Sequence, residues 1–550
     1  MTTYLDDLSA EYFTAYLDAA PTEAHVLAQY AWADRFEDLT RVEEDRQIAA
    51  LRGFLAAAEA MPDDDLEPQQ RITRDVLAND ARTRADFLEA RLRTFTADPI
   101  FGPQTTLPLV IGMLSIPTPE VAEAMVAKFH AIGQSYVDLA ERQREGLAAG
   151  RVPPEFAVTA TIAQIDDALA VPPADDPLLG TSALPDGVDA EVWRARMVDA
   201  IERSVRPGMA AYRDVLRDQV LPGARPDDRA GLRWVDAGED AYARALRYYT
   251  TTTKTAEEIH EIGLQQIEHL AEEYRALGPE VVGTDVLEDI FAAMRADPKL
   301  HVDNAEQLVD GTRVAIDRAW AAMPAWFEVL PQAPCGVQAT TTGAKAFYYP
   351  PAADGSRGGS VFVNVLDPTA WGTFEIESLA FHEGIPGHHL QLAIAGELDG
   401  VPEFRKHIHN AAYAEGWGLY SERLADEMGL YSGAVDRMGI FSADSLRACR
   451  LVVDTGLHAL GWTRQQAVDY MVANSPMTEA ICRPEVDRYI LHPGQATSYM
   501  IGRLEILRMR AEAQDRQGER FDVRAFHSAV LDNGSLPLGV LDEVVRARLS

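Results

Sequence analysis

The sequence predicts a mainly α protein with one small β-hairpin. Three observations carry this. Amphipathic runs at helical spacing recur along most of the 550 residues. Two of them open on capping boxes, Thr255 with Glu258 and Thr463 with Gln466. One stretch, 346–368, has the aromatic and β-branched content of strands.

Taken in order, the runs at about 37–61, 71–95, 119–148 and 190–217 read as helices, because apolar residues return every three or four positions. Between 151 and 190 the chain contains VPPEF, VPPADDP and LPDG, a loop-rich connection and the best place for a lobe boundary. The expected division is an N-terminal helical lobe, 1–185, and a second helical lobe, 186–550, within one compact body. The run TAEEIHEIGLQQIEHLAEEYRALGP places Ile259, Leu264, Ile267, Leu270 and Tyr274 at helical spacing, with Gly278-Pro279 as a stop. Ala346–Tyr349 and Ser360–Leu366 flank a Pro/Gly/Asp turn and read as a hairpin, a lid or a wall of a cleft.

Composition bounds the function. With 47% hydrophobic and 25% charged residues, the chain can bury a large core. It has no run of about 18 apolar residues, so no membrane span is expected. The opening, MTTYLDDLSAEYF, lacks the basic and apolar regions of a secretory leader, which predicts a cytoplasmic protein. A net charge of −36 argues against nucleic acid and anionic membrane as partners. Cys335, Cys449 and Cys482 are widely spaced and read as free thiols.

The histidines point to chemistry. Of the thirteen, His382, His388, His389, His407, His409, His458 and His492 fall between 382 and 492. Clustered histidines among acidic residues suggest a metal or acid–base site. The stretch FHEGIPGHHLQ begins like a zinc-binding helix, with His382 followed by Glu383. A second ligand is needed four residues on, one helical turn away, but Pro386 stands there. Six residues turn an unbroken helix by about 600°, and seven move the next side chain about 10 Å along the axis. An unbroken helix therefore cannot bring His382 and a later histidine to one ion. Pro386 removes a helical hydrogen bond and Gly387 permits unusual angles, so two extra residues can be absorbed as a bulge. His382 and His388 are then the ligands, with His389 as the alternative to His388, and Glu383 is placed to activate water.

A hydrolytic zinc site needs a third protein ligand and an open position. The segment NAAYAEGWGLYSERLADEMG offers Glu415 and Glu422 on one helical face. Glu415 is the first choice and Glu422 the second. Their neighbours Tyr413, Trp417 and Tyr420 are too aromatic for a fully exposed face.

FHEGIPGHHLQ, AYAEGWGLYSE and HPGQATSYMIG together resemble a widespread bacterial family of unknown function. That family is similar to the helical metallopeptidases around angiotensin-converting enzyme, neurolysin and the thermostable carboxypeptidases. The specific match lies within about 346–510. The resemblance implies a two-lobed, zincin-like helical body with a small sheet beside a deep active-site channel. It implies one zinc ion per chain on His382, His388 and Glu415, with Glu383 as general base. It implies Tyr499 as oxyanion donor, with His492 as a second candidate. It further implies that an edge strand, Ser360–Val365, holds an extended peptide by strand addition.

The expected activity is zinc-dependent hydrolysis of short peptides or other small amides. The rivals are a metal-dependent amidase or esterase acting on a non-peptide metabolite, and a non-catalytic helical binding protein with a degenerate motif.

Overall fold

The computed structural model describes residues 2–351 and 357–550. The chain is mainly helical, with one three-stranded sheet among the described residues. It divides into two compact units, residues 1–61 with 81–241, and residues 62–80 with 242–550. The loop-rich stretch 151–190 lies inside the first unit, and there it includes the helix Glu155–Ala170.

The first unit is organised on Pro119–Ala148, which opens on Thr118 accepting from the Val121 amide. Its face of Phe129, Ile132 and Tyr136 packs with Met197, Ile201, Met209 and Tyr212 of the helical run that starts at Ala190. Period-3.6 spacing on both partners puts those residues in one buried core.

The second unit holds every motif singled out above. Helix α1 (Ala256–Val281) starts at the expected Thr255–Glu258 capping box. It runs past the expected stop, with Pro279 in its last turn. Gly278 is required by packing instead, because a Cβ there would meet Ile290 and the Thr284 carbonyl oxygen at 2.5 Å. Next come α2 (Ala305–Ala322), β1 (Cys335–Thr340), β2 (Ala346–Tyr349) and β3 (Gly359–Asn364). They are followed by α3 (Glu375–Glu383), α4 (His388–Gly396), α5 (Ala411–Glu427) and α6 (Ala434–His458). The helices α7 (Glu479–Leu491) and α8 (Ser498–Gln517) complete the set around the site. Thr463 and Gln466 form the second expected capping box.

The two expected strands pair antiparallel, Ala346 opposite Val363 and Tyr349 opposite Ser360. Part of the turn between them, residues 352–356, lies outside the described residues. The third strand, β1, pairs parallel to β3, so the order is β1-β3-β2. This corrects the expected role of Ser360–Val365: β3 is bonded on both sides, and β1 and β2 are the edges. Val361 and Val363 are buried, as period-2 alternation requires of a strand covered on one face.

Helix α6 forms the centre of the unit and is buried without a break from Ala448 to His458. It packs on α1, where a Cβ at Gly263 would come within 2.8 Å of Leu451. Cys449 and Cys482 are buried, Cys335 is partly exposed, and all three thiols are free. Among the described residues no helix is long and apolar enough to cross a membrane.

Candidate metal centre

The FHEGIPGHHLQ stretch is a helix break, not the bulged helix its spacing predicts. Helix α3 ends at Glu383 and α4 begins at His388. Pro386 has no N–H to continue the ladder. The chain recloses when the His389 amide donates to the Gly384 carbonyl at 3.0 Å. A Cβ at Gly387 would collide with the carbonyl oxygens of Phe381 and His382, so only glycine lets the turn fold back this tightly. The result sets the His382 and His388 rings 4.8 Å apart at 89°.

Helix α5 holds this turn from the other side. Asn410 caps it by accepting from the Tyr413 amide. Trp417 Nε1 donates to the Pro386 carbonyl at 2.9 Å, and Ser421 Oγ donates to the Phe381 carbonyl at 3.1 Å. Between these clamps, Glu415, Gly418 and Glu422 share one helical face. Gly418 makes room for the His382 ring, since a Cβ there would lie 2.7 and 2.8 Å from its Cε1 and Nε2. The two carboxylates then reach opposite edges of one imidazole. Glu415 Oε2 is 3.7 Å from His382 Nε2 and 3.6 Å from His388 Nε2. Glu422 Oε1 is 2.7 Å from His382 Nδ1, and its Oε2 accepts from Ser378 Oγ at 2.7 Å.

His382, His388 and Glu415 each present one ligand atom, all within 4.8 Å of one another. Of the two Glu candidates, Glu415 joins the cluster and Glu422 sits behind His382. His389 faces elsewhere. Its Nδ1 meets the Tyr348 hydroxyl at 2.8 Å and its Nε2 the Ala333 carbonyl at 3.0 Å. The carbonyl can only accept, so Nε2 carries the proton and Tyr348 donates to Nδ1. Burial lowers the His389 pKa to about 4, and the ring stays neutral as a tie between β2 and α4.

Charge is concentrated here. Burial alone would lower the pKa of His382, but the Glu415 and Glu422 carboxylates raise it to about 9. Burial pushes the Glu415 carboxyl up, and His382 and His388 outweigh it, holding the group well below the usual carboxylate range. Glu383 is half-buried and makes no hydrogen bond or ion pair with the described residues. Tyr499, on the first turn of α8, has its pKa raised by burial and by the Glu415 charge. α8 reaches that position because Gly502 and Gly416 let it press against α5. A Cβ at Gly416 would lie 2.5 Å from the Gly502 carbonyl carbon.

His492 follows α7, half-buried, and is not one of the clustered ligands. Arg503 is buried and paired with Asp444 at 2.5 Å, a structural tie. Asp454 accepts from Tyr242 at 2.6 Å and from the Gly494 amide at 3.0 Å, and His458 Nε2 donates to the Tyr489 carbonyl at 3.0 Å. Sequence reasoning missed Gly418, Ser378 and Tyr348. For Gly418 a signal exists: a glycine inside a helix costs about 1 kcal/mol and needs a reason, usually a close approach.

Fold and cluster together define a helical protein with a two-histidine, one-glutamate cluster across a broken helix. The profile of the family described as bacterial protein of unknown function, DUF885, matches residues 21–545, and the chain belongs to that family. No curated protein matches it. Two solved structures share the fold. One is a candidate lipoprotein from Colwellia psychrerythraea, 24% identical, with a TM-score of 0.92 over 99% of this chain and 98% of that one. The other is a candidate lipoprotein of unknown function from Shewanella oneidensis, 19% identical, with a TM-score of 0.76 over 98% of this chain and 99% of that one.

Proposed function

We propose that this protein is a zinc-dependent hydrolase that cleaves peptide bonds of short peptides. The observation that carries the reading is the meeting of His382, His388 and Glu415 ligand atoms within 4.8 Å. The donor set fits the ion. Ligand distances of about 2.0–2.2 Å in a tetrahedral site put donor atoms roughly 3.3–3.5 Å apart. The Glu415 oxygen stands 3.7 and 3.6 Å from the two Nε2 atoms, close to that spacing. Two imidazoles and a carboxylate leave the fourth position open, as catalytic zinc sites do.

When bound there, zinc supplies Lewis-acid polarisation of a carbonyl and lowers the pKa of water. The chain's own residues do the rest. Glu422 fixes the His382 tautomer by accepting from Nδ1, which leaves Nε2 as the lone-pair donor. Glu383 follows the first ligand directly and has both carboxylate oxygens free of described partners. It takes the proton of the attacking water and passes it to the leaving amine. Tyr499, kept protonated by burial and the nearby Glu415 charge, donates a hydrogen bond to the developing oxyanion. Short peptides are the proposed substrates on the resemblance to helical metallopeptidases.

The test is metal content by mass spectrometry together with cleavage of a peptide library. The expected result is one zinc per chain, peptide hydrolysis, and its loss in Glu383→Gln with zinc retained. A protein that takes up no zinc, or whose cleavage survives Glu383→Gln, would overturn the reading.

A further inference from the structure

We infer that Arg450, with Arg447 one turn before it on α6, receives a carboxylate of the substrate, so that the peptides handled here are bound by their free C-terminus. The cleavage half of this rests on the peptidase reading; the anion site does not.

Arg450 is only 7% exposed. Its Nε donates to the Tyr489 hydroxyl at 2.9 Å and its Nη2 to Glu485 at 2.8 Å. Its Nη1 is buried and has no hydrogen-bond partner among the described residues. The same guanidinium lies 4.5 Å from the centre of the Tyr499 ring. Arg447 lies 6.0 Å from that ring. Arg447 Nη1 donates to the Ala443 carbonyl at 3.3 Å, Nη2 stands 3.9 Å from Glu422 Oε1, and Nε is buried without a described partner. On α7, Arg488 pairs with Glu485 at 3.0 Å and donates to Gln495.

Arg450 Nη1 and Arg447 Nε are thus two buried guanidinium donors on one face of α6 that the carboxylates Glu422 and Glu485 leave without an acceptor among the described residues. Guanidinium N–H groups buried without acceptors are costly, and the cost disappears when an anion occupies them. A guanidinium fork takes a planar carboxylate in bidentate fashion.

The place selects the source. Arg447 stands 3.9 Å from Glu422, which holds His382 at 2.7 Å, and Arg450 lies over the Tyr499 ring, so the arginines adjoin the ligand cluster. An extended peptide spans about 3.3–3.6 Å per residue. A carboxylate one or two residues past the bond being cut can therefore sit on Arg450 while that bond lies at the cluster. This defines a C-terminal exopeptidase subsite, not a site for internal segments of long chains.

The test uses full-length zinc-loaded protein with Glu383→Gln, so that binding is read without turnover. The probes are pools of random tripeptides with free or amidated C-termini, followed by native mass spectrometry. The expected result is a preference for the free acids of about 10- to 100-fold, the range for one charge-assisted bidentate contact. Arg450→Lys keeps the charge opposite Glu485 but removes the fork, and Arg447→Gln removes one of the two cations. Each should shrink the acid-over-amide ratio several-fold. Equal binding of acids and amides, or a ratio that neither variant changes, overturns the inference. If the acid preference is present and lost in the variants, yet wild-type protein cuts neither pool, the carboxylate site stands and the peptidase reading fails.

Discussion

His382 Nδ1 lies 2.7 Å from Glu422 Oε1, on the edge of the ring opposite the one that faces Glu415. Both carboxylates come from α5, seven positions apart, and the imidazole lies between them over Gly418. One helix therefore contributes a candidate ligand, the group that orients its partner ligand, and the gap that admits the ring. His388 has no such support, since its Nδ1 is buried without a hydrogen-bond partner among the described residues. The site is asymmetric: His382 is the fixed candidate ligand and His388 the less constrained one.

Glu422→Gln tests that asymmetry. The substitution keeps an acceptor near Nδ1 but removes the charge, and Ser378 still reaches the position of Oε2. Losing such an outer partner weakens a metal site by about 10- to 100-fold. Zinc affinity, measured by competition with a chelator, should fall by that amount while His382, His388 and Glu415 are all present. An unchanged affinity would mean that Glu422 serves packing alone.

Gly418→Ala separates folding from function. Alanine is favoured over glycine inside a helix by about 1 kcal/mol, which offsets part of the ~1–3 kcal/mol cost of crowding the buried His382 ring, so the fold should survive with a small loss of thermal stability. Its Cβ would stand 2.8 Å from His382 Nε2, and the ring must move off the cluster. Zinc uptake should therefore collapse in a protein that still unfolds cooperatively and at a melting temperature only slightly lowered. A variant that binds zinc like wild type would show that the ring has room to shift without losing its ligand geometry.

The helical class was legible because it rests on local rules: the capping boxes at Thr255 and Thr463 form as their sequences require. The pairing of the two strands was legible for the same reason. The third strand was not, because Cys335–Thr340 lacks a run of β-branched residues and joins β3 through a parallel, non-local pairing. The identity of His382, His388 and Glu415 as a cluster could be guessed from spacing, yet the mechanism of approach could not. It depends on a helix break at Gly384–Gly387 and on Gly418, whose role appears only when α5 lies against α3. Arg450 was invisible for a different reason. One arginine among fifty basic residues has no local mark, and only its burial beside Tyr499 distinguishes it.

Tyr499→Phe removes one hydroxyl and its hydrogen bond with Gln495, while Arg450 still packs over the ring face at 4.5 Å. If Tyr499 donates to the oxyanion, kcat should drop about 10²- to 10³-fold, the loss seen when one oxyanion donor is removed. KM and zinc content should change little. Steady-state kinetics on a cleaved peptide reads both. A drop confined to KM would make Tyr499 a binding residue and return the oxyanion role to another group.

Asp454 gives the clearest pH dependence away from the ligand cluster. It is fully buried and accepts from Tyr242 and from the amide of Gly494, five residues before Tyr499. Burial pushes its carboxyl from 3.8 up to about 7, against the opposing pull of the Tyr242 and Gly494 hydrogen bonds and the Arg488 charge. Between pH 4 and 7 the folded chain therefore holds a proton that the unfolded chain has released. Stability from this group is complete at low pH and is lost as pH rises towards 7, with an upper bound of about 4 kcal/mol for three pKa units. Asp454→Asn has no proton to lose and can still accept from both donors. Its melting temperature should lie closest to wild type near pH 4 and exceed it most at pH 8, since wild type alone then carries a buried charge. A gap that is the same at both pH values would show that Asp454 does not titrate in this window, and that its hydrogen bonds to Tyr242 and Gly494 hold a charged carboxylate throughout.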